Sequence, residues 1–98
     1  MKKILHLTLK KKWFDLIASG EKKFEFREIK PYWIKRLFEK EHPNGLRHYD
    51  YILFRNGYRK NSLSMRVEYN GLSIKEFEGK NHYALHLGKV IKLNSSKP

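Results

Sequence analysis

"LHLTLKKKWFDLIASGEKKFEFRE", residues 5–28, changes period twice, and those changes decide the fold. Leu5, Leu7 and Leu9 alternate with His6 and Thr8, so Ile4 to Leu9 is predicted to be a strand with one buried face. From Lys10 to Ser19 the spacing lengthens. Trp13, Leu16 and Ile17 fall at i, i+3 and i+4, the stripe of an amphipathic helix, and Thr8 is a candidate cap before it. Lys10, Lys11 and Lys12 occupy the start of that helix, where cations oppose the dipole at about a few tenths of a kcal/mol each. Gly20 suits the left-handed position past a helix end. Alternation then returns over Lys22 to Ile29. Phe24, Phe26 and Glu28 take one side, and Lys23, Glu25, Arg27 and Ile29 the other.

Beyond this run, Pro31 opens a second helix at a first-turn position, with Ile34, Leu37 and Phe38 as its expected buried stripe. Glu41 to His48 is turn material, and Tyr49 to Phe54 is apolar enough for a central strand. A polar loop is expected from Arg55 to Ser62, then a strand from Leu63 to Tyr69. Asn70-Gly71 predicts a tight hairpin into Leu72 and Ile74. Glu78 to Asn81 is another turn. His82 to Leu87 alternates as a strand that Val90 to Leu93 extends or follows. The order predicts an α+β domain: a small, mostly antiparallel β-barrel of five to six strands, with two helices of the N-terminal half packed on it. One domain is expected over residues 1–93, with 94–98 a frayed tail.

A chain of 98 residues buries only about 60–65% of the surface it exposes when unfolded, so its core must use most of its large apolar side chains. Lys and Arg number 22 against 10 Asp and Glu, a net charge of +12. The cations are spread through patterned segments, which describes a folded basic domain whose field favours anionic polymers, nucleic acid first. The absence of cysteine excludes disulfides and thiolate chemistry. No run approaches the ~20 apolar residues of a membrane span, and Met1 to His6 lacks a signal peptide's apolar stretch. A cytoplasmic protein with no membrane partner, no obligate protein partner and no cofactor is expected.

Gly20-x-Lys22-x-x-Glu25-x-Arg27, set between a helix and a strand, resembles the signature of ASCH domains (activating signal cointegrator homology), a branch of the PUA-like barrels. The resemblance extends through "KPYWIKRL", "YDYILFRNGY" and "YALHLGKVI". It implies a small PUA-like β-barrel with a cleft beside the motif that binds RNA or a modified nucleoside or nucleotide. Some members hydrolyse the N4-acyl group of acetylated cytidine, and some cut RNA. Glu25 stands where the amidohydrolase branch has threonine, and Glu68, Glu76 and Glu78 are the candidates for that branch's distant glutamate.

The residues support a site on their own chemistry. Glu25 and Arg27 share a strand face, and Arg27 can grip a phosphate or a base edge bidentately. Beside Glu25, Lys22 serves as a cationic anion donor; desolvated beside Arg27, it serves as a base. Lys23 adds charge. The bland alternative is a salt-bridge ladder on a solvated sheet face. In "RNGYRK", Arg55 can hold phosphate, Asn56 can read a base edge and Tyr58 can stack; the equal alternative is a plain exposed turn with Gly57 present for backbone reasons. Tyr32 and Arg36 offer the same pairing on the second helix, whereas Trp33, four residues before Leu37, suits the core. His82 and His86 are about 13–14 Å apart along a strand, too far to share a metal with His6, so no metal site is expected.

Two functions follow. One is RNA or nucleotide binding in a basic cleft, with Lys22, Lys23, Arg27, Tyr32, Arg36, Arg55, Asn56 and Tyr58 as the contact set. The other is a small nucleic-acid-directed hydrolase, an amidohydrolase or a ribonuclease, with Lys22, Glu25 and Arg27 catalytic. A third reading is an interaction module of phage or mobile-element type that mimics a basic nucleic-acid binder.

Overall fold

Three leucines fix the inside of the sheet. Leu5, Leu7 and Leu9 of β1 (Ile4–Leu9) are all buried, while His6 between them is exposed. The structure is a computed structural model that describes residues 2–39, 45–57 and 62–94. After β1 come α1 (Lys11–Ala18), β2 (Phe24–Glu28), α2 (Pro31–Leu37), β3 (Tyr51–Asn56), β4 (Ser64–Phe77) and β5 (Lys80–Asn94). The sheet order is β1-β3-β4-β5-β2. β1 pairs in parallel with β3, and every other pairing is antiparallel. As hydrogen-bonded, this sheet is open, with β1 and β2 as its edges, where a closed barrel was expected. β3, an interior strand between β1 and β4, carries the apolar run expected of it, with Tyr51, Ile52 and Phe54 buried.

Both helices cover the leucine face. From α1, Phe14 and Ile17 enter the core, each burial contributing about 1.5–3 kcal/mol. Trp13, expected in the stripe, lies only partly buried at its rim. No side chain caps α1: Lys10 is the N-cap, not Thr8. Gly20 takes φ +85° just past the helix, where a β-carbon would be strained. α2 buries Leu37, with Trp33 and Phe38 packed against the core, but leaves Ile34 exposed.

The C-terminal half corrects the predicted hairpin. Asn70-Gly71 makes no chain reversal. It lies inside the continuous strand β4, where the pairing to β5 shifts register between Arg66 and Leu72. Bulges absorb the permissive residues there without ending the strand. The reversal comes at Glu78 and Gly79, both at positive φ (53° and 75°), the signs of a type I′ two-residue hairpin turn. Two of the predicted short strands therefore fuse into β4 and two into β5. Tyr69, in the irregular stretch of β4, has a buried hydroxyl with no hydrogen-bond partner, and burial pushes its phenol up to about 12. Among the described residues no helix is long and apolar enough to cross a membrane.

Candidate functional site

β2 is an inverted strand. Its register sets Glu25 opposite Leu85 and Arg27 opposite Tyr83, and those two partners belong to the core. Glu25 is thus carried inward and is 6% exposed. Phe24 and Phe26 project from the other face, half-buried. A carboxylate desolvated this far is costly unless paired.

The pairing is present. Arg27 Nη2 donates to Glu25 Oε2 at 2.6 Å, and Lys22 Nζ lies 3.5 Å from Glu25 Oε1. Lys22 Nζ also donates to the Phe24 carbonyl. Arg27 Nη2 reaches further, to the Thr8 carbonyl at 3.3 Å, so one guanidinium ties edge strand β2 to edge strand β1. The three side chains are 13%, 8% and 19% exposed for Lys22, Glu25 and Arg27, well out of bulk water. Arg27 Nε is buried and makes no hydrogen bond. Two cations on one carboxylate leave the cluster with one surplus positive charge.

Aromatic rings bracket this cluster and continue it. The Lys22 ammonium sits 5.3 Å from the Trp13 ring centroid and 4.9 Å from that of Phe26. On the other side of Glu25, the Arg27 guanidinium lies 5.0 Å from the Trp33 ring. Trp33 meets Tyr32 edge-on at 4.8 Å, and the Arg36 guanidinium lies 3.7 Å from the Tyr32 ring. At the opposite end Lys12 lies 4.7 Å from Trp13. Cations and rings therefore alternate from Lys12 to Arg36, through the ion cluster at the centre. Each such contact contributes about 0.5–2 kcal/mol, more where water is excluded.

A small cavity of about 110 Å³ opens on the lysine side, lined by Trp13, Lys22, Glu25, Phe26, Phe77 and Glu78. Lys22 and Arg27 converge on Glu25, but Arg27 is not among the cavity's lining residues. Of the three candidate distant glutamates, Glu78 is the one at this cavity. Glu68 instead accepts the Lys89 amide at 2.8 Å. A wider hollow of about 570 Å³ lies between Thr8, Lys10 and Lys11 on one side and Asn56 and Gly57 on the other. Arg55 is exposed and pairs in register with Thr8, next to that hollow. Lys23 is exposed beside the Gly20 turn, and Tyr32 is 53% exposed. Tyr58, with Arg59 and Lys60, lies outside the described residues.

The sequence signal missed Trp13 and Trp33 as ring partners of Lys22 and Arg27. It also missed Phe26, Phe77 and the Thr8 carbonyl. Among the described residues no group of three His, Asp or Glu side chains is placed to hold a metal ion. No protein-family model, curated protein or solved structure matches the chain.

Proposed function

We propose that the chain is an RNA- or nucleotide-binding domain of ASCH type that grips its ligand along the Lys12–Arg36 strip. The observation that carries this is the alternation of cations with partly exposed rings around Lys22 and Arg27. Single-stranded nucleic acid presents that alternation in negative: phosphates for the cations, base faces for the rings. Glu25 fits this reading as the internal counter-ion that holds both cations in place, since neither could stay desolvated alone. Arg55, exposed and in register with Thr8, adds a further cation, and Asn56 a polar amide at the neighbouring hollow.

Binding of a labelled single-stranded oligoribonucleotide, titrated with salt, tests it. If ~5 phosphates are neutralised, log K falls against log salt with a slope near −3.5. Tight binding with a slope near zero, or no binding at low salt, rejects the reading.

A second reading, a hydrolase acting on acylated nucleosides or RNA, rests on one further observation: Lys22 shares its cavity with two carboxylates, Glu25 and Glu78. An ammonium sharing a cavity with two carboxylates supplies groups for proton transfer and charge stabilisation. Turnover by the wild-type chain, abolished in Lys22→Ala at saturating substrate, is its expected signature. Binding without turnover leaves the first reading alone.

A further inference from the structure

The outer face of β2, β5 and the distal half of β4 carries an aromatic cluster separate from the core. Phe24, Phe26 and Phe77 are absent from the core cluster although the chain has only six phenylalanines. Phe26 and Phe77 stack at 4.4 Å with 6° between their planes. His82 stands edge-on to Phe77, and His86 edge-on to Phe24 at 5.0 Å. All five rings are half-buried and lie on strands, with part of each surface open. The core residues of both helices lie against the opposite face. A solvent-facing side of an antiparallel sheet is ordinarily polar, so this concentration of rings requires an explanation.

The charge around the rings selects the occupant. Lys75 sits 4.9 Å from the Phe24 ring, and Lys22 4.9 Å from the Phe26 ring. The carboxylate β2 adds to this face, Glu28, is already held by Lys30 at 3.3 Å and Lys80 at 3.8 Å. A second copy of the chain would bring +12 against +12. Glu25 and Glu78 line the adjoining cavity, and Glu25 is offset by Lys22 and Arg27; the net charge of +12 still favours phosphates, and bases supply the flat apolar faces that the rings match. The two surfaces are also continuous, because Phe26 and Phe77 wall the Lys22–Glu25 cavity.

We infer that this sheet face is a stacking platform for unpaired bases of a single strand whose phosphates are held at Lys22 and Arg27. It rests on the nucleic-acid reading above and adds a base-binding surface that the motif does not contain. Binding of fluorescein-labelled oligouridylate, about ten nucleotides long, tests it by anisotropy. The Phe24→Leu/Phe77→Leu variant keeps apolar volume and removes the ring faces. Its affinity is expected to fall about five-fold to a hundred-fold at an unchanged salt slope, because stacking and not phosphate contact is lost. Lys22→Ala, by contrast, flattens the slope by about 0.7. If the double leucine variant melts like wild type and binds equally well, the platform is wrong while the basic strip stands. If wild type binds no oligonucleotide at low salt, the function itself fails. If wild type sediments as a dimer that the leucine variant dissociates, the face is a self-association surface and the platform is overturned.

Discussion

β1 and β2 are the two edges of one sheet, and they obey the same alternation with opposite assignments of inside. β1 buries Leu5, Leu7 and Leu9 and shows His6 to solvent. β2 turns Glu25 and Arg27 toward the core side and leaves Phe24 and Phe26 on the outer side. The first arrangement lowers free energy through apolar transfer alone. The second must recover the desolvation of two cations and a carboxylate through their mutual contacts, which rarely does better than break even. β2 thus departs from the agreement between local pattern and burial that a purely structural strand such as β1 keeps.

The largest expected effect is on the charged edge. Glu25→Ala leaves Lys22 and Arg27 desolvated without their counter-ion and should cost about 3–5 kcal/mol, read from urea unfolding. A loss under ~1 kcal/mol would show the cluster is solvated after all and erase the contrast with β1. On the leucine edge, Leu7→Ala should cost about 2–5 kcal/mol by cavity formation, with ligand affinity per folded molecule unchanged. Phe24→Leu, on the open face, should cost less than about 1.5 kcal/mol. A cost equal to that of Leu7→Ala would make the outer rings a second core.

The smallest effect lies at Tyr69. Its phenol is raised to about 12, chiefly by burial and then by the neighbouring Tyr49. A raised folded pKa means the native state keeps a proton that the unfolded chain loses near pH 10. Stability is therefore whole below pH ~10 and falls as pH climbs through about 12. Tyr69→Phe should be neutral or slightly stabilising at pH 7, because it deletes a buried hydroxyl that lacks a partner, and should remove the last step of the phenolate absorbance titration. A clear destabilisation at pH 7 would mean that the hydroxyl has a partner after all.

Local chemistry was readable from the residues; non-local pairing was not. β1, α1 and α2 begin and end within a residue or two of where Leu5–Leu9, Gly20 and Pro31 place them, because those signals act within one turn of chain. Asn70-Gly71 misled for the converse reason. Its turn preference is local, but the pairing of Leu72, Ser73 and Ile74 with β5 keeps the strand going. Edge order and closure depend on which strands meet, which alternation does not encode. At the site, the two-residue spacing of Glu25 and Arg27 correctly put them on one face. That this face was the inner one required the register against Leu85 and Tyr83. Trp13 and Trp33 could be assigned to helices but not to the cations they meet, since that depends on how each helix lies across the sheet.

The topology also orders the events of folding. β4 and β5 are joined by a two-residue reversal, and such hairpins close in about 1–10 μs. β1 meets β3 across a much longer separation: the Lys3 amide bonds to Asp50, 47 positions away, after α1, β2 and α2 have intervened. Loop-closure entropy delays that contact. The Arg27–Thr8 bridge depends on β1 being seated. On the nucleic-acid reading proposed above, oligonucleotide capture in a stopped-flow refolding trace should therefore lag the tryptophan signal of collapse, because the Arg27–Thr8 bridge closes only once β1 is seated.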